Sequence, residues 1–250
     1  MLHRDVAGTG RRLVLAHGFT QTGRSWGAFG SLLAAGRQMV RVDLPGHGGS
    51  STVRGDLHRA GALVLQAGGA AAEGPVDLLG YSLGARVALH AALDDPAALR
   101  RLVLIGVTPG IEDAGAREAR RRRDDATAEA IERDGSVGPF LSRWLAAPMF
   151  AGLPDPGLEE RLENTAAGLA SSLRSAGTGT QDPLWDRLAA LHVPTLLLAG
   201  ADDLRFAHTA ARMSREMPNA VLSLVPGAGH AAHLAQPALT ARIVARFLDS

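Results

Sequence analysis

Short apolar runs rich in Val, Leu and Ile recur along the chain, separated by stretches whose apolar positions repeat at helical spacing. The runs predict strands over residues 13–16, 39–42, 76–79, 102–105, 195–198 and 221–225, and the intervening stretches predict helices over 26–35, 57–67, 83–93, 206–217 and 237–248. The runs are short, apolar-rich and interleaved with helical patterns, as expected for a mostly parallel sheet covered by helices on both faces. The fold class is therefore α/β. From about residue 108 to residue 182 the alternation stops, and the chain becomes charged and helical. Breaks fall there at Gly135, Pro148, Pro154-Asp155-Pro156 and Gly177-Thr178-Gly179. The pattern predicts a core of residues 1–107 and 183–250, with 108–182 inserted between two strands as a helical lid.

Composition narrows the chemistry. At 250 residues the chain can bury one sizeable core, and 26 basic against 25 acidic side chains leave a formal charge of +1, which argues against a nucleic-acid partner. There is no cysteine and no lysine, so thiolate nucleophiles, cysteine metal sites, Schiff-base catalysis and a P-loop lysine are excluded. Every strong base is arginine, a planar cation suited to bidentate binding of carboxylates. Residues 1–5 lack a basic-then-apolar signal pattern and no apolar run reaches membrane-spanning length, so a cytoplasmic protein without membrane insertion is expected.

The chemistry concentrates after strand ends. Gly80-Tyr81-Ser82-Leu83-Gly84 fits G-x-S-x-G between a predicted strand and a predicted helix, the context in which small residues allow a sharp turn that exposes a serine hydroxyl. Such a serine needs a base and an orienting acid. Asp202-Asp203 follows the strand over 195–198, and Gly227-Ala228-Gly229-His230 follows the strand over 221–225. Ser82, Asp203 and His230 thus run in the order nucleophile, acid, histidine. Asp202 stays open as the acid, with the other of the pair capping the next helix, and His233 is an alternative base. The N–H of Leu83 and that of Phe19, in His17-Gly18-Phe19 after the first predicted strand, are the candidate oxyanion donors.

These motifs, with Asp43-Leu44-Pro45-Gly46-His47-Gly48, resemble the α/β-hydrolase superfamily over essentially the whole chain. Closer similarity is to the SHCHC synthase family of menaquinone biosynthesis. It is carried by Gly80 to Arg86, the arginine-rich stretch ending at Asp124, Trp144 with Pro148-Met149-Phe150, Gly168-Leu169-Ala170 with Ser172-Leu173-Arg174, Gly177-Thr178-Gly179 with Gln181, and Asp203 to Phe206. That resemblance implies elimination of pyruvate from 2-succinyl-5-enolpyruvyl-6-hydroxy-3-cyclohexene-1-carboxylate to give 2-succinyl-6-hydroxy-2,4-cyclohexadiene-1-carboxylate (SHCHC), with serine acting as a base and with no metal or organic cofactor. The same triad would serve a serine hydrolase, whether carboxylesterase, lactonase or carbon–carbon bond hydrolase.

Arginines favour the polycarboxylate. Arg86 lies one helical turn after Ser82 and is placed to border the pocket, the alternative being a solvated helix face. Of Arg120 to Arg123 only one or two can face a common cleft; spacing from Asp124 favours Arg120, and the lid similarity adds Arg161. Tyr81 and Trp144 are expected as flat walls for the substrate, although Trp144 fits a lid core equally well.

Overall fold

The structure is a computed structural model and describes the chain except Ala151, Gly152, Pro154, Asp155 and Pro156; the expected break at Pro154-Asp155-Pro156 thus lies outside the described residues. Its centre is a seven-stranded sheet in the order β1-β3-β2-β4-β5-β6-β7. The strands are β1 (Arg4–Ala7), β2 (Arg11–Ala16), β3 (Arg37–Val42), β4 (Val76–Tyr81), β5 (Leu99–Ile105), β6 (Thr195–Gly200) and β7 (Ala220–Val225). All neighbours are parallel except β1, which runs antiparallel to β3 at one edge. β1 was not expected from the sequence: its four residues, Arg4-Asp5-Val6-Ala7, are all exposed and carry no apolar face to read.

Alternate residues of the predicted runs serve opposite faces. Val14, Ala16, Leu102, Leu104 and Leu197 enter one buried cluster, while Leu13, Leu15, Val103, Ile105, Leu196 and Leu198 enter another across the sheet. The inner strands are thus covered on both faces, which is why their runs read as rich in apolar residues, whereas β7 at the edge leaves Val221, Leu222 and Leu224 exposed. Helices α1 (Gly27–Leu33), α2 (Leu57–Ala67), α3 (Ala70–Glu73) and α4 (Leu83–Asp94) connect the first strands. The helices α5 (Ala114–Asp134), α6 (Val137–Leu145), α7 (Leu158–Arg161) and α8 (Ala166–Ala176) fall between β5 and β6. After them come α9 (Leu204–Glu216), α10 (Ala232–Ala235) and α11 (Pro237–Asp249).

The stretch between β5 and β6 carries a small core of its own. Ala128 and Ile131 of α5, Phe140 and Leu141 of α6, and Leu169, Ala170 and Leu173 of α8 pack together, with Phe19 and Trp144 against them. α5 starts where the Asp113 carboxylate accepts the Ala116 N–H at 2.7 Å, and it stops at Gly135, whose φ of 68° ends the helix. Along the arginine run, Arg121 and Arg122 turn outward to Glu118, as four successive helical residues must diverge. Arg120 alone of the four lines the cavity described below.

Candidate active site

Ser82 sits between β4 and α4 with φ at +52°, a left-handed conformation that is costly for a residue with a side chain. The neighbouring glycines make the turn possible. A Cβ on Gly84 would lie 1.9 Å from the Ala16 carbonyl oxygen, and one on Gly80 2.3 Å from that of Gly84. The Ser82 N–H donates to the Ile105 carbonyl at 2.9 Å, and the Gly84 N–H to the His17 carbonyl at 3.0 Å. These bonds tie the turn to the ends of β5 and β2.

Two further loops bring the partners. Ala201 N–H donates to Val225 and Asp202 N–H to Ala228, at 2.9 and 3.0 Å, so the turn after β6 is bonded to the turn after β7. His230 is buried; its Nε2 lies 3.0 Å from Ser82 Oγ and its Nδ1 3.1 Å from Asp203 Oδ2. The second oxygen of Asp203 accepts the Phe206 N–H at 3.3 Å, so Asp203 itself caps α9. This corrects the expected division of labour: one aspartate both caps the helix and meets the histidine, while Asp202 is exposed. Burial pushes the Asp203 carboxyl upward, but the bonds from His230 and the Phe206 N–H outweigh it and hold the group below its usual range.

His233 does not compete as base. Its ring is fully buried among Tyr81, Trp26 and Phe29, and burial lowers it to about 3, so it stays neutral.

Ser82 and His230 open into a cavity of 220 Å³ whose wall includes Phe19, Leu83, Arg86, Arg120 and Trp144. Among the described residues neither the Phe19 nor the Leu83 N–H donates to a protein acceptor. Arg86 is 7% exposed, and its Nη1 donates to the neutral Gln181 Oε1 at 3.4 Å. Burial and the neighbouring Arg120 charge lower Arg86 to about 10, which leaves it charged at neutral pH. Arg120 Nε donates to Asp124 Oδ1 at 2.8 Å. Among the described residues the buried indole Nε1 of Trp144 meets no acceptor. Among the described residues the wall counts three arginines, Arg86, Arg120 and the exposed Arg205, and one carboxylate, Asp124.

The other two expected contacts lie outside that wall. Tyr81 is buried beneath the turn with its ring against His230 and His233, and burial raises its phenol well above the ordinary range. Arg161, 1% exposed, donates to Thr20 Oγ1 and, at 3.4 Å, to the Phe19 carbonyl, so it grips the loop behind the cavity. Sequence reasoning missed Arg205 as a wall residue; its signal was its place two residues after the acid. Among the described residues no three acidic or histidine side chains cluster to hold a metal ion.

The profile of the Alpha/beta hydrolase family matches residues 13–243. The 2-succinyl-6-hydroxy-2,4-cyclohexadiene-1-carboxylate synthase of Serratia proteamaculans (strain 568) is 34% identical over 245 residues, 94% of this chain and 92% of that one. The chain belongs to the alpha/beta hydrolase family and, within it, to the SHCHC synthase family. A solved structure of MenH from S. aureus superposes with a TM-score of 0.91 at 29% identity, covering 100% of this chain and 98% of the other. A thermophilic esterase from Thermogutta terrifontis superposes at 0.84 with 25% identity over 99% and 93% of the two chains. SHCHC synthases thus share this sheet with hydrolases, and what separates them must lie in the site. Among the described residues no helix is long and apolar enough to cross a membrane.

Proposed function

We propose that this chain eliminates pyruvate from 2-succinyl-5-enolpyruvyl-6-hydroxy-3-cyclohexene-1-carboxylate to give SHCHC. The supporting observation is the hydrogen-bonded Ser82, His230 and Asp203 opening into a cavity with an excess of guanidinium groups. A buried cation without a carboxylate costs several kcal/mol, so Arg86 favours an anionic occupant over a neutral ester. The names of the relatives agree with this substrate.

In this reading Asp203 holds the His230 Nδ1–H, and His230 Nε2 draws the proton from Ser82. The serine oxygen takes a proton from a ring carbon, a ring double bond forms, and the bond between the ring and the ether oxygen breaks; the departing enolpyruvate takes the proton held by His230 and tautomerises to pyruvate. The Phe19 and Leu83 N–H groups hold the developing oxyanion. Arg86 and Arg120 take substrate carboxylates, and the Trp144 ring with its free indole N–H closes one side. Tyr81 supports the histidine ring from beneath. Residues 108–182 form the lid over the core of 1–107 and 183–250, and a cytoplasmic setting suits a small-molecule biosynthetic enzyme.

The test supplies the enolpyruvyl substrate and follows pyruvate and ring absorbance. Stoichiometric pyruvate with no acylated serine supports the reading; turnover of a nitrophenyl ester with inertness toward the enolpyruvyl substrate would make the chain a serine hydrolase instead.

A further inference from the structure

Thr20, next to the oxyanion candidate Phe19, holds φ at +70°, a conformation that β-branched residues avoid. Something must hold it there, and three side chains do. The Thr20 N–H donates to His47 Nε2 at 3.3 Å, Arg161 donates to its Oγ1, and Asn164 Nδ2 donates to its carbonyl at 2.7 Å. Thr20 is fully buried and Asn164 is 5% exposed, so these bonds form away from water.

Asn164 is the residue that joins the pieces. Its Nδ2 also donates to the Arg161 carbonyl at 2.9 Å, and its Oδ1 accepts the Gly48 N–H at 3.0 Å. One amide thereby fastens the turn after α7 to the loop after β2 and to the loop after β3. On the other side of Phe19, the Gly18 N–H donates to Gln21 Oε1 at 2.9 Å and the Gly18 carbonyl accepts from His17 Nδ1 at 2.8 Å. The backbone groups flanking the Phe19 N–H are thus held, and among the described residues that N–H has no protein acceptor.

We infer that Asn164 is a positioning residue for the oxyanion hole: through the Thr20 carbonyl it fixes the loop that presents the Phe19 N–H, so the inserted helices set transition-state stabilisation. This rests on the proposed role of Phe19 in pyruvate elimination.

The experiment compares Asn164→Ala with Asn164→Asp. Aspartate keeps the acceptor for Gly48 N–H and loses the donor to Thr20; alanine loses both. Pyruvate kinetics are read beside hydrogen exchange at the Thr20 amide in the unliganded protein. Expected for both variants is a fall in kcat of about 10- to 100-fold with KM within about twofold, the signature of an interaction made in the transition state. Thr20 exchange should quicken while amides of β4 and β5 keep their protection. Wild-type kcat in Asn164→Asp would overturn the inference, as would an effect confined to KM or unchanged Thr20 exchange. A wild-type protein that releases no pyruvate would refute the proposed reaction instead, and the exchange comparison would still decide whether Asn164 holds the loop. A variant that loses strand protection as a whole would show a fold role and overturn the positioning one.

Discussion

Arg86 and Arg120 line one cavity, yet among the described residues they meet different partners: Arg120 Nε donates to the Asp124 carboxylate, whereas Arg86 reaches the neutral amide of Gln181. Arg86 begins one helical turn after Ser82, with its own N–H bonded to the Ser82 carbonyl at 3.1 Å, so its position is set by the turn that sets the serine. A charge buried in this way stores destabilisation that an anion relieves.

Replacing Arg86 by Gln should therefore separate stability from binding. The unliganded variant is expected to melt higher, by about 2 °C or more, because about 1 kcal/mol shifts a domain of this size by about 2–4 °C. KM for the enolpyruvyl substrate should rise roughly 10- to 100-fold with the loss of a charge-assisted contact. Calorimetry and pyruvate kinetics check the two halves, and a lower melting point would contradict the idea that the cation is held under strain.

Ser82→Ala should reduce pyruvate release by roughly 10³-fold or more, and Asp203→Asn by a comparable factor, because the amide no longer stabilises the imidazolium or fixes its tautomer. Asp202→Asn should stay within about twofold of the wild-type rate, since Asp202 is exposed and His230 meets its neighbour. A large loss in Asp202→Asn with none in Asp203→Asn would reverse the assignment.

Acid should destabilise the fold well before the carboxylates titrate. Burial lowers His17 and His90 to about 4, and His47 and His233 to about 3, against an ordinary value of 6.5. Between those values the unfolded chain binds protons that the folded chain refuses, so stability falls as pH drops below about 6.5. Each such histidine contributes up to about 1.4 kcal/mol per pH unit, and His233→Phe should remove one share of the slope. Urea unfolding from pH 7 to pH 5 measures it; a flat profile would mean these rings take up protons in the fold.

Two glycines should behave differently. Gly84→Ala drives a Cβ to within 1.9 Å of the Ala16 carbonyl oxygen and should prevent folding, because backbone on both sides must move. Gly138, in the first turn of α6, has nothing beyond its chain neighbours within 4 Å of a Cβ, so Gly138→Ala should fold, with a change below about 1 kcal/mol because contact with the Pro139 ring offsets the gain in helix propensity. Expression level and thermal midpoint distinguish the pair.

The sequence by itself determined the strands β2 to β7, the helical stretch between β5 and β6, and the order of Ser82, an aspartate of the Asp202-Asp203 pair, and His230. Strands buried on both faces write themselves as apolar runs, and a sharp strand-to-helix turn demands small residues at fixed offsets from its serine. Those are local constraints. Tertiary structure alone decided that Asp203 and not Asp202 meets His230, because two adjacent aspartates differ only in which way the capped turn of α9 points them. It decided also that Arg161 and Asn164 grip Thr20, some 140 residues earlier in the chain, and that β1 pairs with β3 through backbone groups indifferent to its exposed side chains. Hydrophobic periodicity records what is buried against the sheet, whereas the partner of a buried polar group is fixed by loops that meet only after the chain has folded.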